Sequence, residues 1–112
     1  MPIDHWSDEI VLVELHSDPA FTDDINQVIE LAESRGDIDV ALNFQGVSFL
    51  NSSNIAKLLK LRKILLVNNK RKLILCAINT HVWGVFLVTG LDKIFDFADD
   101  IASGLASLQI DK

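Results

Sequence analysis

Three short runs of the chain read as β-strands, and the residues between them switch to a helical spacing. That alternation limits the fold more than any other feature. EIVLVELH (9–16) is rich in β-branched residues, and DIDVALNF (37–44) places Ile38, Val40, Leu42 and Phe44 at every second position. KLILCAI (72–78) is continuously apolar after its lysine, the pattern of a strand buried on both faces. Between the first two runs Ile25, Val28, Ile29 and Ala32 fall at i, i+3, i+4 and i+7. Thr22 is the candidate cap of that helix, Asp23 and Asp24 suit its positive end, and Gly36 can close it. Helix formers dominate from residue 52 to about 67. THVWGVFLVTG reads as a third helix, capped by Thr80 and stopped by Gly90. DDIASGLASLQI reads as a last one, with Asp99 or Asp100 as cap and Ile101, Leu105 and Leu108 inward. PIDHW is a candidate partner for the first long strand, and KIFDFA a candidate edge strand.

The order β-β-α-β-α-β-α-β-α predicts an α/β fold, a single mainly parallel sheet covered by about four helices through right-handed crossovers. No repeat, low-complexity tract or linker interrupts it, so one domain over residues 1–112 is expected. With 49% hydrophobic residues the chain can bury a core, which excludes disorder. No apolar stretch approaches the ~20 residues of a membrane span, and MPIDHWSDEI lacks the basic start and apolar core of a signal peptide. The single cysteine, Cys76, excludes an internal disulfide, and no set of zinc ligands is present. A cytoplasmic protein without cofactor or membrane attachment is expected.

Enzymatic signatures are missing. There is no GxGxxG after the first strand, no GxxxxGK[ST], no GxSxG and no HExxH. His5, His16 and His81 are scattered without partners that would orient them. Cys76 sits among Leu75, Ala77 and Ile78 and reads as a small buried hydrophobe. Trp83 and Phe86 read as core, and Gly84 between them leaves room for a close neighbour. The expectation is a protein that is not an enzyme.

The formal net charge of −6 argues against nucleic acid, yet seven of the ten basic residues cluster as Lys57, Lys60, Arg62, Lys63, Lys70, Arg71 and Lys72. They follow FLNSSN, where Asn51 or Ser52 can cap the second helix. The same geometry suits a modification: a phosphate on a hydroxyl at a helix N-terminus is favoured by the dipole and by unpaired amides. Counting 100° per residue puts Ile55, Leu58, Leu59, Leu65 and Leu66 inward, Arg62 at the edge, and Ser53, Lys57, Lys60, Ile64 and Val67 outward. That outer side is a candidate partner-binding strip.

VSFLNSSNIAKLLKLRK, followed by LILCAINTHVWGVFLVTGLDKIFDFADD, resembles the STAS domain of bacterial anti-sigma factor antagonists. Family members run from a strand through Asp-Ser-Ser/Thr-Gly into a leucine-rich helix, a strand, a helix ending in Gly-Leu and a short IF strand. The likeness extends from about Glu9 to Leu108 and is strongest over 40–97; DDIASGLASL resembles the closing helix. It implies a STAS fold and a transcription regulator that binds an anti-sigma factor serine kinase. By position Ser52 is the implied phosphoacceptor, reset by a PP2C-type phosphatase, and Asn51, Ser53, Asn54, Ile55, Lys57, Lys60 and Ile64 are candidate partner contacts. Asn51 replaces the usual acid and Asn54 the usual glycine, with the Asn54 side chain expected where the partner approaches. The alternative is a STAS scaffold or small-ligand sensor that signals without phosphate.

Overall fold

The computed structural model describes residues 3–110; residues 1, 2, 111 and 112 of the expected domain lie outside them. The elements are β1 (Ile3–His5), β2 (Ile10–His16), α1 (Ala20–Ser34), β3 (Asp39–Gly46), α2 (Ser52–Arg62), β4 (Leu73–Cys76), α3 (Thr80–Thr89), β5 (Asp96–Ala98) and α4 (Ile101–Ile110). A π-helical segment, Lys63–Asn68, continues α2, and a 3-10 turn, Leu91–Lys93, follows α3. The five strands lie in sequence order, β1 antiparallel to β2 and all later pairs parallel. The expected α/β architecture is therefore the observed one, with β1 supplying the single antiparallel edge.

Strand order and crossover hand together decide where the helices go. Successive parallel strands added in one direction through same-handed crossovers place every connecting helix on one face. Ile3, Val13, Leu42, Leu75 and Phe97 pair across the sheet in one row and meet α1, α2 and α3 in the main core. The neighbouring row, Leu12, Ala41 and Ile74, faces the other way and is left to α4 through Leu105 and Leu108. α4 approaches so closely that Gly104 has no room for a side chain, because a Cβ there would collide with Cys76 Sγ.

Several expectations about helix ends and faces change. α1 starts at Ala20 with Pro19 at the cap position, and Thr22 sits inside the first turn, where its amide donates to the Asp18 carboxylate. It ends at Arg35 in extended conformation (φ −127), so Gly36 does not close it. Asn79, not Thr80, caps α3 by accepting from Val82 N–H, while Gly90 closes that helix at φ 76 as expected. In α2 the inward row is Asn54, Leu58 and Leu61, continued by Leu65; Leu59 is exposed instead of buried. Ile64, expected on the outer strip, is 7% exposed. The wheel considers only the sheet as a neighbour, whereas α1 packs along α2 and the π segment. Asn69 Nδ2 donates to Ala32 O (2.9 Å) at that junction, and the flank bearing Ile64 is covered.

Candidate functional site

The loops leaving the C-terminal ends of β2, β3 and β4 are fastened to one another by side chains. Ser17 Oγ accepts from Ser48 N–H (2.8 Å), and Asn79 Nδ2 donates to Val47 O (2.8 Å). Short polar side chains suit this work because they reach backbone groups that no strand or helix satisfies. Their effect is to hold residues 47–51 between the start of α1 and the start of α3.

At the end of this loop Asn51 caps α2. Its Oδ1 accepts from Asn54 N–H (2.8 Å), and Asn54 Oδ1 accepts in return from Asn51 N–H (3.2 Å), a capping box closed by two asparagines. Both remaining amide groups point to one carboxylate: Asp18 Oδ2 accepts from Asn51 Nδ2 (2.9 Å) and Asn54 Nδ2 (2.8 Å). Asp18 Oδ1 accepts from Thr22 Oγ1 (2.7 Å) and Thr22 N–H (2.9 Å). The bonds from Thr22, Asn51 and Asn54 all favour the ionised form and hold the Asp18 carboxyl down at about 2.

Asn54 is fully buried within this arrangement. Its side chain serves the cap and Asp18, and the expectation that it faces an approaching partner is corrected. Ile64, also named as a partner contact, is under α1. Asn51, Ser52, Ser53 and Lys60 are exposed, and Ile55 and Lys57 are partly so. The capping box engages the Asn54 amide, and Ile55 N–H bonds Asn51 O (3.1 Å). This leaves the amides of Ser52 and Ser53 as the first-turn donors open to an anion. The hydroxyls therefore stand beside donors, on a surface with Lys57 and Lys60 one and two turns along.

One exposed residue was not singled out in the sequence. Phe49, 44% exposed, projects from the stapled loop three residues before Ser52. Its only sequence signal is its position, an aromatic side chain within a run of Ser and Asn after a strand has ended.

Other chemistry-bearing residues lie apart. His5, His16 and His81 are exposed in three separate places, and Cys76 is buried, its thiol pushed up to about 11 by desolvation and then by Asp100. Among the described residues no group of three His, Cys or acidic side chains is placed to hold a metal, and no helix is long and apolar enough to cross a membrane. A cleft of about 560 Å³ opens between α3, β5 and α4, lined in part by Trp83, Phe97, Thr80 and Ser107.

The STAS-domain family model matches residues 13–104. No curated protein sequence matches significantly. Among solved structures, an anti-sigma-factor antagonist (STAS) domain protein from Planctomyces limnophilus superposes with a TM-score of 0.81 at 15% identity, covering 95% of each chain. The Bacillus cell fate determinant SpoIIAA in its phosphorylated form gives 0.72 at 21% identity, covering 96% of this chain and 97% of its own. RsbS of Moorella thermoacetica, in a serine-to-glutamate form, gives 0.70 at 17%, covering 97% and 96%. At such identities the likeness is one of fold.

Proposed function

The chain belongs to the STAS-domain family, and from that premise we propose that it is an anti-sigma factor antagonist whose docking to an anti-sigma factor serine kinase is switched by phosphorylation of Ser52. The observation that carries this reading is the placement of Ser52: an exposed hydroxyl on the first residue of α2, beside two open amides, directly after a loop hydrogen-bonded to Ser17, Asp18 and Asn79. A SpoIIAA structure of the same fold is that of a phosphorylated form.

The switch is electrostatic. A phosphate brings about −1.5 to −2 charges and strong acceptor oxygens. The helix dipole and the Ser52 and Ser53 amides stabilise it, so the fold persists. The same charge repels an acidic partner selected by Lys57 and Lys60 and adds a solvated dianion three residues from Phe49, an exposed apolar group available for burial. The unmodified form binds the kinase, the modified form leaves it, and a PP2C-type phosphatase restores binding. No enzymatic step belongs to this chain.

The test is intact-mass analysis after incubation with a candidate kinase and ATP. One phosphate on Ser52, lost in Ser52→Ala, is the expected result, with kinase binding weakened by Ser52→Asp and by Phe49→Ala at unchanged stability. Phosphate confined to another residue, or binding indifferent to Ser52→Asp, would sink the switch. The cleft beside Trp83 supports the second reading, a ligand-sensing STAS module; a metabolite retained there in native mass spectra, with no phosphate on Ser52, would favour it.

A further inference from the structure

The cleft between α3, β5 and α4, at about 560 Å³, has the size of a small-molecule site. Trp83 and Phe97 line it with their ring planes at 89° and their centroids 4.9 Å apart. Both are only partly buried, whereas Phe86, whose ring lies 5.3 Å from that of Phe97, is fully buried. The core therefore uses Phe86 completely and leaves part of the other two rings to the cleft. Perpendicular rings at one cavity form adjoining walls of the kind that receive quaternary ammonium groups, which are attracted by the negative ring faces. Ile78 adds apolar surface to the same cavity.

Charge indicates the class of ligand. The elements that wall the cleft, α3, β5 and α4, contain no lysine or arginine, and residues 94–110 hold three aspartates. Asp100 is committed to the fold, because its Oδ1 accepts from Ser103 N–H (2.7 Å) and caps α4. Asp99 lines the cleft, is exposed, and has no hydrogen bond or ion pair among the described residues. The hydroxyls of Thr80 and Ser107 line the cleft too and are likewise without a partner among those residues. The helix starts offer little to an anion: Asn79 already takes the Val82 amide of α3, and Asp100 brings a negative charge to α4. Lys72 borders an adjoining hollow of about 310 Å³ that shares Phe97 and Ser107 with the cleft, but Asp96 borders that hollow as well.

We propose that this cleft binds a small organic cation, an alkylated ammonium that also carries a hydroxyl or carbonyl group. The ammonium rests against Trp83 and Phe97 with Asp99 as its counter-charge, and Thr80 and Ser107 hydrogen-bond the polar end. An organic cation is favoured over a metal ion because the cleft presents two rings and one carboxylate instead of a shell of oxygen ligands. Ser52 is not among the lining residues. Any signalling role for the bound cation rests on the ligand-sensing reading, to which this site gives a class of ligand.

The test titrates three probes of similar shape into the isotopically labelled full chain at constant ionic strength: choline, its uncharged carbon analogue tert-butylethanol, and the anion of tert-butylacetic acid. Choline should give a saturable shift of the Trp83 indole N–H, with the Trp6 indole unmoved as internal control. It should bind about tenfold more tightly than the uncharged analogue. Asp99→Asn, an exposed substitution, should weaken choline about fivefold and leave the uncharged analogue unaffected. Trp83→Leu, read at the Ser103 and Ser107 amides, should abolish the preference for choline. The proposal is overturned by equal binding of choline and the uncharged analogue, by shifts away from the cleft, by indifference to Asp99→Asn, or by no saturable shift with choline. Binding of the anion in the cleft with choline silent overturns it too, while leaving a ligand-sensing module in place.

Discussion

Nδ2 of Asn54 stands 2.8 Å from Oδ2 of Asp18, joining the first turn of α2 to the loop before α1. The two residues are thirty-six positions apart, and the bond makes the start of α2 a property of two loops instead of one. The local consequences of this contact can be measured.

Acid should undo it. The Asp18 carboxyl is held at about 2 against an ordinary 3.8. A group with a lowered folded value adds stability that is fully present above the ordinary value and disappears as pH falls through the folded one. The side-chain amide resonances of Asn51 and Asn54 should therefore move with a midpoint near 2, and amide exchange at Asn54 should quicken over the same window. A midpoint near 3.8 would mean that the contact does not persist in solution.

Restoring the family residues should harm this chain. Asn54→Gly removes the acceptor for Asn51 N–H and one donor to Asp18, a loss of about 1–3 kcal/mol in denaturant unfolding. Asn51→Asp sets a second carboxylate against Asp18 and should lower the melting temperature. Adding Asp18→Asn should recover part of that loss, and a double mutant less stable than either single one would contradict the arrangement.

The cap and the hydroxyl should separate. Asn51→Ala should cost about 0.5–2 kcal/mol because Asn51 supplies the capping oxygen. Ser52→Ala should change stability by less than about 0.5 kcal/mol, the range of an exposed substitution away from such features, while removing the proposed phosphate. Chemical denaturation of the two variants distinguishes them.

Gly104 tests the second core. Gly104→Ala drives a Cβ into Cys76 Sγ, and overpacking of this kind costs about 1–3 kcal/mol. Cys76→Ala should relieve much of it in the double variant. Purely additive losses would show that α4 moves away from the sheet without resistance.

Much of the fold was legible because it rests on periodicities that each segment carries alone. Ile38, Val40, Leu42 and Phe44 alternate whatever surrounds them, and Gly90 has the freedom a left-handed helix end requires. Positions 51 and 52 could be read as a helix start because capping is local chemistry. What could not be read depended on neighbours distant in sequence. Thr22 is the exception, its amide held by Asp18 only four residues before it, a local bond that competes with capping by Thr22 itself. Ile64 counted as outward until α1 lay over it, and Asn54 as surface until Asp18 gave its side chain a buried partner. Phe49 gained meaning only once the loop beneath it was fastened.

By itself, then, the sequence determined the strands, the helices, their order and the motif at the start of α2, because backbone propensity and hydrophobic period act over a few residues. Only the tertiary structure decided which flank of each helix is covered and which polar side chains are used up within the protein. Those outcomes depend on burial against elements thirty or more positions away, and no local pattern encodes that partner.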